Sequence, residues 1–261
     1  MSFVRLSAPS YAMLSYERLG GAGIPILFLH GGWGYSLYPI EHQAAALAPH
    51  CQFFIPSRSG YGKSTRVSHF DLNFHQMAAL EMLAFLDACK IHRCVAWGHS
   101  DGAVIAAWMG LVAPERFYGL ILEAFHFSPK KPASADFFLQ GATRPDELKE
   151  NVRLILEAEH GNDWREVVRR NCEVWLRLGR EQREDDLFGG RLSGLKPSTL
   201  VLHSQDDPRS EAQEIETAVK QLPHAAFQLF ETGAHSPHSH QQTKEKCTRL
   251  IQRFVSEIAL T

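Results

Sequence analysis

The chain has 261 residues, with 27 Lys and Arg against 29 Asp and Glu, a formal net charge of −2. Hydrophobic residues make up 44% and charged residues 21%, which suits a packed domain with a sizeable core and excludes low-complexity and collagen-like chains. The near-neutral charge leaves no electrostatic footprint for nucleic acid or an anionic membrane. Five cysteines, Cys51, Cys89, Cys94, Cys172 and Cys247, lack CxxC spacing, which argues against a disulfide framework and against structural zinc. No apolar signal-type run opens the chain and no apolar stretch approaches a membrane span, so a reducing cytoplasm is the expected compartment.

In chain order, residues 24–29, 52–55, 94–97 and 119–122 are short apolar runs that read as buried strands. Between them, residues 72–88 set Leu72, Met77, Leu80, Leu83, Phe85 and Leu86 opposite a polar face, the pattern of an amphipathic helix. Residues 103–112 are almost wholly apolar and predict a helix buried on most sides. Strands alternating with helices imply right-handed crossovers and a parallel sheet covered on both faces. Residues 127–194 break this rhythm: no strand is expected, and helices are predicted over 146–159 and 164–178 before a charged loop at 180–186. The alternation resumes with a strand at 199–203, a helix at 211–221, a strand at 226–230 and a closing helix at 241–258. The expected organisation is an α/β core built from 1–126 and 195–261, with a helical insertion at 127–194.

The strongest local signal is Gly98-His99-Ser100-Asp101-Gly102, set between a predicted strand and a predicted helix. Glycines flanking a serine there permit a tight turn that exposes the hydroxyl at a helix N-terminus, the context of a nucleophile elbow. A serine nucleophile needs a base and a group to orient it. Asp206 and Asp207 follow the strand at 199–203, and His235 follows the strand at 226–230, giving the order Ser, Asp, His. All three fall at the carboxyl edge of the expected sheet, where open α/β sheets build their sites. Upstream, His30-Gly31-Gly32-Trp33-Gly34 follows the first predicted strand; its Gly32–Trp33 segment can aim a backbone N–H at a nascent oxyanion, with Asp101 N–H as the second donor. Its spacing does not match the GxGxxG fingerprint, and no Walker A sequence occurs, so no nucleotide cofactor is expected. The fourteen histidines show no HExxH-type spacing, so no metal is expected.

With these elements in order, the sequence resembles the α/β-hydrolase superfamily along nearly its whole length. Ser57-Arg58-Ser59-Gly60-Tyr61-Gly62-Lys63-Ser64 is similar to the family's DxxGxGxS loop, with Ser57 in place of the acid. The resemblance implies an eight-stranded, mostly parallel sheet, and a helical cap inserted after strand six. It assigns Ser100 as nucleophile, His235 as general base and then acid, and Asp207 as the orienting carboxylate. Asp206, as a turn carboxylate, and Glu123, at the end of strand six, stay open as alternatives for the acid. His238 and His240 compete with His235 but fall outside the motif position.

The GxSDG elbow, with a cap rich in Trp and Arg, is closest in motif to the valacyclovir hydrolase and biphenyl-hydrolase-like group of serine esterases. That likeness implies that Asp101 binds the α-amino group of an amino-acid ester; the other reading is a carboxylate held by nearby Arg or Tyr side chains. In the insertion, Phe137, Phe138, Leu139, Trp164, Trp175 and Leu176 either line an apolar pocket or pack the insertion on the core. The expected activity is hydrolysis of a small carboxylic ester through an acyl-enzyme, with a small molecule as partner and a monomer or homodimer as assembly. The alternatives are carbon–carbon bond hydrolysis of meta-cleavage products and a ligand receptor on the same fold. Ser100 in place of an aspartate nucleophile excludes dehalogenase and epoxide-hydrolase chemistry.

Overall fold

A computed structural model describes residues 1–7, 10–210 and 212–258. Eight strands form one sheet in the order β1-β2-β4-β3-β5-β6-β7-β8. They are β1 (Ser2–Arg5), β2 (Met13–Gly20), β3 (Ile24–Leu29), β4 (Cys51–Pro56), β5 (Cys94–His99), β6 (Phe117–Glu123), β7 (Ser198–Ser204) and β8 (Ala226–Phe230). Pairing is antiparallel for β1–β2 and β2–β4 and parallel for every other neighbour. The six strands read from sequence form the parallel part. β1 and β2 complete the eight strands implied by the resemblance but were not located from the residues: β1 buries none of its residues fully and β2 only two, so neither carries a continuous apolar run.

Side chains alternate across each strand, and this period of two divides the interior into two cores. Leu27, Leu29, Ala96 and Leu122 face α2 (Phe74–Ala88) and α3 (Asp101–Val112). Ile26, Phe28, Val95, Trp97 and Ile121 face the other way, toward α1 (Glu41–Leu47) and α8 (Lys244–Ile258). Ten of the twelve residues of α3 are buried, as its uniformly apolar sequence requires. α7 (Ala212–Lys220) lies near the C-terminal edge; Glu211, the predicted start of that helix, lies outside the described residues.

Between β6 and β7 the described chain is helical and irregular, with α4 (Ala135–Thr143), α5 (Glu150–His160) and α6 (Trp164–Glu181). The predicted helix over 146–159 starts later, at Glu150, because Pro145–Glu147 forms a single 3-10 turn and Leu148 turns extended. α4 was not anticipated; it packs on α6, where Gly141 approaches so closely that a Cβ there would lie 2.4 Å from Cys172 Sγ. α6 buries Trp164, Val168, Trp175 and Leu178 on one face and presents charges on the other, which fixes how the segment sits over the carboxyl edge of the sheet.

Candidate active site

Ser100 sits between β5 and α3 with φ 56° and ψ −122°, a conformation a side-chain-bearing residue rarely adopts. Its neighbours make that turn sterically possible. A Cβ on Gly98 would lie 2.1 Å from Gly102 O, and one on Gly102 would lie 1.9 Å from Leu29 O. The Ser100 N–H is satisfied by Glu123 O at 2.9 Å, so the turn is pinned to β6.

The structure brings Ser100, His235 and Asp207 together. His235 Nε2 lies 3.0 Å from Ser100 Oγ, and His235 Nδ1 lies 2.9 and 3.0 Å from the two Asp207 oxygens. With Nδ1–H donating to the carboxylate, Nε2 carries the lone pair and accepts the Ser100 hydroxyl proton. Burial pushes the Asp207 carboxyl up, but the charge and hydrogen bond of His235 outweigh it and hold the carboxyl at about 2. The loop bearing His235 is fixed by Asp206, which accepts from Ala234 N–H and Thr232 Oγ1, both at 2.9 Å. The two adjacent carboxylates thus do different jobs, and Asp206 does not face the imidazole.

Glu123 is engaged elsewhere. It accepts from His238 N–H at 2.8 Å, His238 Nδ1 at 2.8 Å and Trp97 Nε1 at 3.0 Å, a buried cluster on the far side of the Ser100 turn. The same contacts take His238 out of reach of the serine.

A cavity of about 90 Å³ opens over Ser100, lined in part by Gly32, Trp33, His126, Phe137 and Arg209. Asp101 N–H is at the first position of α3 and so has no acceptor within the helix. The Gly32–Trp33 segment is held from outside: His160 Nε2 donates to Trp33 O at 2.9 Å, and Glu159 accepts Tyr35 N–H and Ser36 N–H, each at 2.8 Å. His160 Nδ1 in turn accepts Gly62 N–H at 2.9 Å, joining the loop at 57–64 to the same clamp.

The Asp101 side chain, expected to bind a substrate amine, borders the cavity but is engaged by the protein itself. Its carboxylate accepts from Asn171 Nδ2 at 2.7 Å, Trp175 Nε1 at 2.9 Å and His75 Nε2 at 3.3 Å, and it is 1% exposed. Burial raises its pKa, but these donors and the nearby Arg58 charge outweigh that and hold it at about 2. The partners are not the Arg or Tyr side chains expected for a held carboxylate, but an amide, an indole and an imidazole. Three donors leave little of the carboxylate to offer a ligand.

Sequence reasoning missed His126. Its Nε2 lies 3.3 Å from Ser100 Oγ, its ring stacks on His235 at 5.7 Å, and its Nδ1 has no hydrogen-bond partner among the described residues. Since the hydroxyl proton points to His235, the His126 Nε2–H donates to Oγ. Burial holds its pKa well below the usual imidazole value, so the ring is neutral. The signal available was position: His126 leaves the same edge of β6 that carries Glu123. Glu159, His160, Asn171 and Arg209 were missed as well, because their roles arise from how the helical segment docks. Among the described residues, no group of three or more His, Cys, Asp and Glu side chains is arranged to hold a metal ion.

Residues 24–185 match the α/β-hydrolase fold family, and the chain belongs to it. The curated relatives and solved structures that resemble it are named mostly as hydrolases and esterases. A protein of Pseudomonas savastanoi pv. phaseolicola named as the carbamate hydrolase RutD is 24% identical over 84% of this chain and 90% of the relative. A pimeloyl-[acyl-carrier protein] methyl ester esterase of Pectobacterium carotovorum subsp. carotovorum is 32% identical, over 42% of this chain and 40% of its own. In structure, an esterase from Exiguobacterium antarcticum aligns with a TM-score of 0.75 or better, at 0.77, with 18% identity over 98% of this chain and 99% of that one. No helix among the described residues is long and apolar enough to cross a membrane.

Proposed function

We propose that this protein is a serine hydrolase that cleaves a small carboxylic ester through an acyl-enzyme on Ser100. The observation that carries the reading is the hydrogen-bonded chain Asp207–His235–Ser100 at the floor of a small cavity. Ser100 Oγ attacks the ester carbonyl as its proton passes to His235 Nε2, and Asp207 steadies the resulting imidazolium. The carbonyl oxygen, now an oxyanion, is met by Asp101 N–H and by the backbone of the Gly32–Trp33 segment. His235 then gives its proton to the departing alkoxide. In the second half, His235 deprotonates a water that attacks the acyl carbon, and the proton returns to Ser100 as the acid leaves. No cofactor enters this scheme, and the residues in the helical segment between β6 and β7 serve as a cap that limits the size of the substrate.

The test is steady-state hydrolysis of p-nitrophenyl acetate and butyrate by the wild type, Ser100→Ala and Asp207→Asn. Multiple turnover is expected in the wild type, absent in Ser100→Ala, and reduced about 10³- to 10⁴-fold in Asp207→Asn. Absence of turnover by the wild type on every ester tried, with Ser100 still labelled by a fluorophosphonate, would overturn the reading in favour of a receptor.

A further inference from the structure

The cavity wall includes an arginine, Arg209, whose guanidinium has no ion-pair partner among the described residues. Arg209 follows Asp207 by two residues, and its backbone N–H donates to Asp207 Oδ1 at 2.8 Å, so its Cα is fixed relative to the proposed catalytic acid. Its guanidinium lies 3.5 Å from the ring centroid of Phe137, on α4, and 5.8 Å from that of Trp33. Among the described residues, it has neither a hydrogen-bond acceptor nor a carboxylate within ion-pair distance. Two carboxylates of the site are already engaged: Asp207 faces His235, and Asp101 is enclosed by Asn171, Trp175 and His75.

Phe137 and Trp33 stack on each other at 4.8 Å, and the guanidinium lies against Phe137 at the side of that pair, held with an N–H edge free to meet a planar anion in bidentate fashion. Taking such a cation partly out of water without a counter-charge is costly, and burial lowers its pKa accordingly. An anionic group arriving with the substrate offsets that cost. Arg58, the other arginine behind the site, does not serve: it is 2% exposed and its Nη2 is bonded to His30 O and Gly31 O.

We infer that Arg209 is a carboxylate-binding residue, and that the substrate is an ester carrying a free carboxylate close to the scissile bond. This rests on the ester-hydrolase reading above and reverses the polarity suggested by Asp101: the site selects an anion, not an ammonium. Phe137 and Trp33 act with Arg209 by orienting its fork.

The experiment has a kinetic and a binding arm. Monomethyl glutarate is compared with methyl pentanoate, and O-acetylglycolate with propyl acetate, so that each pair differs by the carboxylate and places it on the acyl or the alcohol side. For at least one pair the wild type is expected to favour the anionic ester, and Arg209→Met is expected to lower that preference in kcat/KM at least tenfold. Arg209→Lys should restore part of it, mainly through KM. In parallel, glutarate and glycolate are titrated calorimetrically into Ser100→Ala and into Ser100→Ala/Arg209→Met, with circular dichroism confirming that both fold. Carboxylate binding that is lost with Arg209 supports the inference even if no ester turns over, in which case the hydrolase reading alone fails. Equal losses on charged and neutral esters, or carboxylate binding unchanged by Arg209→Met, would overturn the inference and leave the hydrolase reading standing.

Discussion

Asp101 Oδ1 accepts the indole N–H of Trp175 at 2.9 Å, which ties the residue beside Ser100 to the middle of α6. With Asn171 one turn earlier on the same helix, the carboxylate anchors the helical segment to the N-terminus of α3. A side chain whose sequence position suggests substrate recognition is instead a joint between the two parts of the chain.

Removing that carboxylate strands three buried donors, each costing about 1–3 kcal/mol when left unpaired. Asp101→Ala is therefore expected to lower stability by about 3 kcal/mol or more in urea denaturation, and to expose the α4–α6 region to limited proteolysis. Its relative rates on free-amine and N-blocked amino-acid esters should not differ from those of the wild type. A selective loss on free-amine esters at unchanged stability would restore the amine-binding role.

Glu159 holds the Tyr35 and Ser36 N–H groups with both carboxylate oxygens, so Glu159→Gln turns an amide N–H toward a backbone N–H. The Gly32–Trp33 segment would keep the His160 contact to Trp33 O but lose the Glu159 clamp on the residues that follow it. We expect kcat to fall about tenfold with KM little changed, as befits an interaction that strengthens with charge on the oxyanion. A rise in KM with kcat intact would assign Glu159 to substrate binding.

Among the described residues, His126 donates to Ser100 Oγ alone. His126→Phe keeps the stacking surface against His235 and deletes the donor, a neutral hydrogen bond worth about 1 kcal/mol. A five- to tenfold fall in kcat/KM is expected, with His126→Gln intermediate. Wild-type kinetics in His126→Phe would show that the contact is incidental.

Stability should depend steeply on pH below neutrality. Burial lowers the pKa values of His30, His75, His99, His126, His160 and His203, with His99 brought down to about 3. These rings stay neutral in the native state while the unfolded chain takes up protons below about 6.5, so stability is full above that pH and declines as pH falls toward the native values. The carboxyls of Asp101 and Asp207, at about 2, add a second loss only as pH drops below about 4. Urea denaturation at pH 7.5, 6.5 and 5.5 checks this: a flat unfolding free energy across that series would contradict it.

Much of this site was legible before any coordinates. GHSDG between a strand and a helix, and the order of Ser100, Asp207 and His235, identify a chain of groups because each lies just past a strand's carboxyl end. The strands themselves were readable where both faces are buried, as in β5, all six residues of which are inaccessible. β1 and β2 were not, since most of their residues are exposed or half-buried and neither carries a continuous apolar run. Asp206 and Asp207 could not be separated by sequence, because adjacent residues point in different directions and only the loop path decides which one meets the imidazole.

The sequence by itself determined the sheet's parallel core and the elbow, and placed Ser100, His235 and the Asp206–Asp207 pair just past strand ends, because these depend on local steric rules and on hydrophobic period. Tertiary structure alone decided the charge character of the cavity. Asn171, Trp175, His160 and Arg209 are distant in sequence from Ser100, and their effect depends on how α5 and α6 dock and on which buried charges find partners there. That docking occupies the Asp101 carboxylate with hydrogen bonds and leaves the Arg209 guanidinium with no ion-pair partner among the described residues.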